Sequence, residues 1–352
     1  MVSKKTLAKL MSVMLVGSML LAGCSSSAPA GESQTDTPKA EAQTEEVAYP
    51  TQTLEFVAPA GAGGGYDLTI RTMAKVLHDN NLVSVPMPVT NKSGGGGGVN
   101  LAYMQEKKGS DTYIAVYSPP LLLINLTGQT PLSYKDTTPL AGLMADYDCF
   151  VVPKDSPYKS INEVFEALKA DPKSVKYGGN SAAGSFDHLA FLIMAKAAGL
   201  TVDQIKQIDY ISFQDGSAPA QLMGKHIDLL STGLGDVKGL IESGDVIALA
   251  TTADKRIGTG KIAEVPSCQE LGIDATARNW RGIFGAPDMP EYAVKFWEDA
   301  LKKMTETEDW KKASEANGWD IVYLNTEEFN KFLDETNEQY IELLKSIDML
   351  KQ

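Results

Sequence analysis

From Thr53 onward, short apolar runs alternate with longer stretches in which apolar residues return every three or four positions. "TLEFVAPAG" is an apolar run that stops at Pro59, the pattern of a short strand. "YDLTIRTMAKVLHDNN" follows, with Leu68, Ile70, Met73, Ala74 and Leu77 near helical spacing and Asp67 at the start. "VPMPVTN" predicts a second strand, "VNLAYMQEKK" a helix behind the glycines Gly94 to Gly98, and "TYIAVYS" a third strand. This βαβαβ succession predicts a parallel sheet with right-handed crossovers.

After "CFVVPKDSPYKS" the alternation restarts. "INEVFEALKADP", residues 186–198, "APAQLMG" and "GDVKGLIES" read as helices, and "VKYGGN", "IDYISF", "IDLLSTG" and "VIALATT" as strands. Residues 290–352 predict mostly amphipathic helix, with Trp297, Trp310 and Phe329 as core anchors packing back on the first unit. Roughly 300 residues exceed what one core holds, so two α/β domains are expected. Two passes of chain between them would leave a cleft where the loops at the strand C-termini converge.

The N-terminus follows another logic. Lys4, Lys5 and Lys9 precede an apolar run from Leu10 to Ala22 that closes in "LAGC", so residues 1–23 predict a signal peptide. A plain secretory signal is one reading. Leu21-Ala22-Gly23-Cys24 resembles the bacterial lipobox, which would make Cys24 a lipidated N-terminus and hold the protein at the extracytoplasmic face of the cell membrane. Residues 24–50, rich in Ser, Ala, Pro, Thr, Gln and Glu, predict a disordered tether. The strongest later apolar run, "YIAVYSPPLLLINL", is split by Pro119 and Pro120 and is too short to span a bilayer.

Charge narrows the ligand. Loss of residues 1–23 removes three lysines and no acid, moving the formal charge from −13 to −16. The arginines are Arg71, Arg256, Arg278 and Arg281, too few for a nucleic-acid surface. Any anionic ligand is therefore expected to be held mainly by backbone dipoles and hydroxyls. His78, His188 and His226 are scattered and Cys149 and Cys268 form no metal-ligand spacing, so no metal or cofactor is expected. Nothing in the sequence places those two cysteines within bridging distance.

Two glycine loops invite a phosphate reading, and it fails. Gly61-Ala62-Gly63-Gly64-Gly65-Tyr66 ends in Tyr where a dinucleotide loop needs Gly or Ala, and the Gly94 loop ends in Val99. "NKS" precedes its glycines, so there is no triphosphate loop either. What survives is a set of backbone amides at a helix N-terminus aimed at a small anion, most simply a carboxylate. Asp67 then has two readings: a helix-start residue bonded to first-turn amides, or a group receiving an ammonium or hydroxyl of the ligand. A third loop, "GGNSAAGSFDHLA", offers Asn180, Ser181 and Ser185 from across the cleft. Ser185, Asp187 and His188 do not make a nucleophilic triad, since neighbours on one helical turn cannot converge on one atom and no G-x-S-x-G elbow exists. His188 has a structural reading within its own domain. Ser118, after the third strand, and the loop "SFQDGSAPA" with Asp215 complete the cleft candidates.

Seven segments in order, "FVAPAGAGGGYDLTIR", "VTNKSGGGGGVNLAYM", "GGNSAAGSFDHLA", "GSAPAQLMGKHIDLL", "ALATTADKRI", "VPSCQELG" and "WRGIFGAPDMP", resemble the tripartite tricarboxylate transporter solute-binding receptors, also called Bug receptors. The resemblance covers nearly all of the chain after Thr53. It implies an α/β periplasmic-binding-protein fold of the second type, with lobe 1 at residues 51–150 plus 281–352 and lobe 2 at 151–280. It also implies a monomeric, non-enzymatic receptor that presents a small organic carboxylate, such as a di- or tricarboxylate, to the membrane subunits of a transporter. A sensor of the same fold and an exported enzyme on a small acid are the alternatives. The resemblance points to the loops 59–67 and 180–188, and with the cleft candidates above the expected ligand residues are Ala60, Gly63, Gly64, Gly65, Tyr66, Asp67, Ser118, Asn180, Ser181, Gly184, Ser185, His188 and Asp215. Two departures from the family pattern stand out. The first glycine loop is longer than the commoner form, and Asp215 intrudes beside the cleft, which either favours a ligand with an amine or several hydroxyls or leaves Asp215 outside the pocket.

Overall fold

The computed structural model describes residues 48–213 and 216–351. The signal peptide, Cys24, nearly all of the tether, and Asp215 lie outside them.

The first half begins as the periodicity predicts. Strand β1 (Glu55–Ala58) leads through the glycine loop into helix α1 (Gly65–Asp79), then β2 (Val89–Asn91), α2 (Gly98–Gln105) and β3 (Tyr113–Tyr117). β1 pairs in parallel with β2 and β3. Ahead of α2, Gly94 to Gly97 all have positive φ, at 132°, 56°, 62° and 103°. Side-chain-bearing residues rarely adopt that region, so this second glycine stretch is required by its turn geometry. The run behind Pro119 is a buried helix, α3 (Pro120–Leu126), because proline tolerates a first helical turn and this one opens there.

The second half repeats the plan. α4 (Ile161–Ala170), β5 (Tyr177–Gly179), α5 (Phe186–Ala197), α6 (Val202–Ile205), β6 (Tyr210–Ser212), α7 (Ala218–Met223), β7 (Leu229–Gly233), α8 (Leu234–Ser243) and β8 (Val246–Thr251) follow β4 (Thr138–Pro153). β5 pairs in parallel with β6 and β7, so β2-β1-β3 and β6-β5-β7 share one order.

Two antiparallel strands join the halves, in the segments where the sequence reading put the two passes of chain. The sixteen-residue β4 pairs through residues 138–147 with β9 (Arg278–Gly285), and through 148–153 with β7 and β8. β9 also closes on β3. After α9 (Glu291–Glu306) and α10 (Glu308–Asn317), β10 (Asp320–Leu324) pairs with β4, and α11 (Thr326–Ser346) ends the fold. Trp297, Trp310 and Phe329 are fully buried. The two tryptophans pack in one core with Phe56, Ile70 and Ile114, joining the terminal helices to β1, α1 and β3. The described residues form one compact unit.

Cys149 and Cys268 are both buried free thiols. Among the described residues no group of His, Cys, Asp or Glu is arranged to hold a metal ion, and no helix is long and apolar enough to cross a membrane.

Candidate functional site

The N-termini of α1 and α5 are built alike. Each follows a parallel strand and a glycine-containing loop, and each carries an aspartate in its first turn whose carboxylate folds back onto the loop. Asp67 accepts from the Gly63 amide (2.9 Å), Arg71 Nε (2.8 Å) and Asn91 Nδ2 (2.8 Å). The Arg71 bond above all, helped by those of Gly63 and Asn91 against the cost of burial, lowers its carboxyl to about 2. Asp187 accepts from the amides of Asn180 (2.8 Å) and Ser181 (3.0 Å). Here burial outweighs those bonds, and the carboxyl is pushed up to about 7.

Between these helix ends, beside the strands that join the halves, lies a cavity of roughly 390 Å³, within the size range of small-molecule sites. Gly65, Tyr66, Ser118, Asn180, Ser181 and Ser185 of the expected set line it. Ala60, Gly63, Gly64, Asp67, Gly184 and His188 do not. Asp67 is 5% exposed and already bonded as described. His188 accepts the Gly184 amide at Nδ1 (2.9 Å) and packs beside the touching rings of Tyr177 and Tyr210. Burial lowers it to about 4, so at neutral pH it is an uncharged internal brace.

The lining residues divide into braces and open groups. Asn180 Nδ2 donates to Thr232 Oγ1 (3.3 Å) and Asp236 Oδ2 (3.2 Å), while its Oδ1 accepts from the Ala218 amide (3.2 Å). Ser181 Oγ accepts from the Asp187 amide (3.1 Å). Tyr66 and Ser118 share a 2.6 Å bond between hydroxyls. Ser185, the residue before α5, makes no side-chain capping bond, which leaves its hydroxyl available to the cavity.

Arg281, on β9, also lines the cavity and was not singled out by its motif. It is 8% exposed. Nη1 donates to Asn279 Oδ1 (2.6 Å), and the guanidinium carbon lies 5.5 Å from the Tyr66 ring centroid. Nε has no hydrogen-bond partner, and among the described residues no carboxylate lies within ion-pairing distance. Its Nη2 reaches the start of α1: a Cβ on Gly65 would stand 2.9 Å away, so glycine permits the approach. No side chain caps this helix start either. An unpaired buried cation beside an uncapped helix N-terminus favours an anion, which the expectation of an anion held without arginine did not foresee. A signal existed in "WRGIF", where a charge inside an apolar strand run is costly unless partnered.

Asp146, Asp187 and Asp236 line the same cavity. Burial raises the Asp146 carboxyl to about 6, opposed by Arg281. Asp146 and Asp148 stand two apart on β4, a spacing that puts both on one strand face, and this was legible in "MADYDCF".

A mixed α/β fold with a polar, charge-bearing cavity beside the strands joining two sheet halves is suited to binding a small solute. A family model described as "Tripartite tricarboxylate transporter family receptor" matches residues 70–349, and the chain belongs to that family of solute-binding receptors. A "UPF0065 protein in gbd 5'region" from Cupriavidus necator is 24% identical over 318 residues, 88% of this chain and 92% of that protein. A TctC solute-binding protein from Polaromonas, solved with no ligand, is similar in structure (TM-score 0.69, 24% identity, 85% of this chain and 99% of that one). An R. palustris protein solved with adipate is also similar (TM-score 0.72, 18% identity, 86% and 99%).

Proposed function

We propose that this receptor captures a small organic carboxylate outside the cytoplasm and delivers it to the membrane subunits of a tripartite transporter. The observation that carries the ligand class is Arg281, a buried guanidinium with an unpartnered Nε and no carboxylate in contact, beside the uncapped N-terminus of α1. A carboxylate there would accept charge-assisted bonds from Arg281 and meet the positive end of the helix dipole. Tyr66, Ser118 and Ser185 line the same cavity with hydroxyls. The adipate bound to the R. palustris relative supports the same class.

Lobe 1 (51–150 plus 281–352) and lobe 2 (151–280) close on the ligand by a hinge motion near Val151–Pro153 at the end of β4 and Arg278–Gly282 at the start of β9. Ligand favours closure because it touches both helix ends only in the closed form. The protein works as a monomer, tethered through lipidated Cys24.

The deciding experiment is a thermal-shift panel of small carboxylates on the full-length protein, confirmed by calorimetry. A ligand at a hundred times its dissociation constant adds about 2.7 kcal/mol of stability. Saturable stabilisation without turnover supports the receptor; turnover, or binding unaffected by Arg281→Met, refutes it. Cys24→Ser is expected to move the protein from the membrane to the soluble extracytoplasmic fraction, and retention on membranes would remove the anchor.

A further inference from the structure

Asp148 shares a strand face with Asp146 but does not line the cavity, and it is fully buried. It is the first residue of β4 to pair with β7, directly after the last that pairs with β9. Its amide donates to Thr252 Oγ1 (3.1 Å) and its carbonyl accepts from the Thr252 amide (2.9 Å), so its main chain is satisfied. The carboxyl is not. Oδ1 has no hydrogen-bond partner, and among the described residues no Lys, Arg or His lies within ion-pairing distance of it. An ionised carboxylate left in this way is among the costliest groups a core can hold.

One hydroxyl reaches it. Ser231 Oγ, on β7 and also fully buried, lies 3.1 Å from Asp148 Oδ2 and 2.8 Å from the main-chain oxygen of Asp187. A serine hydroxyl has a single proton and a main-chain oxygen only accepts, so the shorter contact, to the Asp187 carbonyl, takes that proton. The Asp148 contact is then a hydrogen bond only if its proton belongs to Asp148, with Ser231 Oγ accepting. Asp187 is the lesser candidate for that proton, because its carboxylate already accepts the amides of Asn180 and Ser181. The acids facing Asp148 are Asp187 on α5, Asp146 on its own strand and Asp236 on α8; Cys149 on β4, Tyr210 on β6 and Tyr340 on α11 are the other ionisable groups near it. Burial first, and then Asp187 and Asp146, push its carboxyl well above the ordinary carboxylate range.

We propose that Asp148 is a neutral carboxylic acid in the folded protein and a positioning residue for the cavity: its O–H donates to Ser231 Oγ, Ser231 holds the Asp187 carbonyl and with it the start of α5, and loss of the proton releases that wall. The charge so formed would meet no cation and would be repelled by Asp187 itself. This role belongs to the wall and is independent of which solute the cavity takes.

The test compares the full-length protein, without added solute, with Asp148→Asn, an uncharged near-isostere whose amide N–H donates to Ser231 Oγ at any pH. Infrared difference spectra at neutral pH should show, in the parent, the C=O stretch of a protonated carboxyl that the variant lacks, and that band should vanish on titration to alkaline pH. A folded value raised above 3.8 gives stability that is complete below 3.8 and is lost as pH rises through the folded value. Parent and variant should therefore melt alike near about pH 4, with the variant several degrees higher at about pH 9. Hydrogen exchange at the Leu189 amide, bonded to Ser185 O (3.0 Å) in the first turn of α5, should quicken severalfold in the parent relative to the variant over the same rise in pH. Ser231→Ala removes the acceptor, so it should shift the carboxyl band and quicken that exchange at low pH as well; it serves alone if Asp148→Asn does not fold. No protonated-carboxyl band assignable to Asp148, or a melting difference that does not change with pH, overturns the neutral acid. Leu189 exchange that stays parallel in parent and variants overturns the positioning role.

Discussion

Arg281→Met separates what this residue does for the ligand from what it does to the fold. Methionine keeps a long apolar stem but removes a guanidinium that is 8% exposed, with an orphan Nε and no carboxylate in contact. Losing a charge from a buried, hydrogen-bonded ion pair costs about 2–5 kcal/mol of binding. That is a roughly 30- to several-thousand-fold rise in Kd. The ligand-free protein should respond in the opposite sense, because removing an unpaired buried charge and an unsatisfied donor relieves about 1–3 kcal/mol. Titration calorimetry with the tightest-binding carboxylate measures the first change, and scanning calorimetry without ligand the second. Asp146 provides a third reading. Arg281 holds its carboxyl down, so in the variant it should titrate above its present value of about 6, followed by carbonyl-carbon NMR. A Kd within threefold of the parent's, or a lowered melting temperature without ligand, would refute this account of Arg281.

Gly65→Ala should weaken carboxylate binding about five- to twentyfold, as judged from charge-assisted bond energies, because its Cβ would push Arg281 Nη2 aside from 2.9 Å. Its melting temperature should barely change, since the clash is with the end of a flexible side chain. Ser185→Ala should weaken binding by about 1 kcal/mol at no cost in stability, because the hydroxyl makes no capping bond; a destabilised variant would show a cap instead. Asp146→Asn tests the pH dependence. The folded carboxyl titrates near 6 against 3.8 unfolded, so the stability it permits is complete below 3.8 and is lost as pH rises through 6. The variant should therefore melt higher than the parent at pH 8, by on the order of 2 kcal/mol, with the gap closing by pH 4. His188→Gln should show the reverse window. The neutral ring, held near 4, contributes fully above 6.5, and that contribution goes as pH falls through 4.

The local signals in the sequence located most elements of the two halves, while strand β10 fell inside a stretch read as mostly helix. Helical spacing in "YDLTIRTMAKVLHDNN" and the stop at Pro59 locate β1, the loop and α1, and the same logic locates β5, its loop and α5. These helix starts are where the cavity lies, so six of the expected lining residues follow from periodicity and loop chemistry. Which loop residues reach the cavity was a tertiary matter. Asp67 turns back to Gly63, Arg71 and Asn91, and His188 turns inward to Gly184 and two tyrosines, because a short side chain at a helix start meets its own loop first. The electrostatics were settled further away in the chain. Arg281, Asp146 and Asp236 come from β9, β4 and α8, and only pairing across the sheet places them together. A strand states its own alternation of faces, but which strand lies beside it depends on contacts more than a hundred residues apart, and no local pattern encodes that choice.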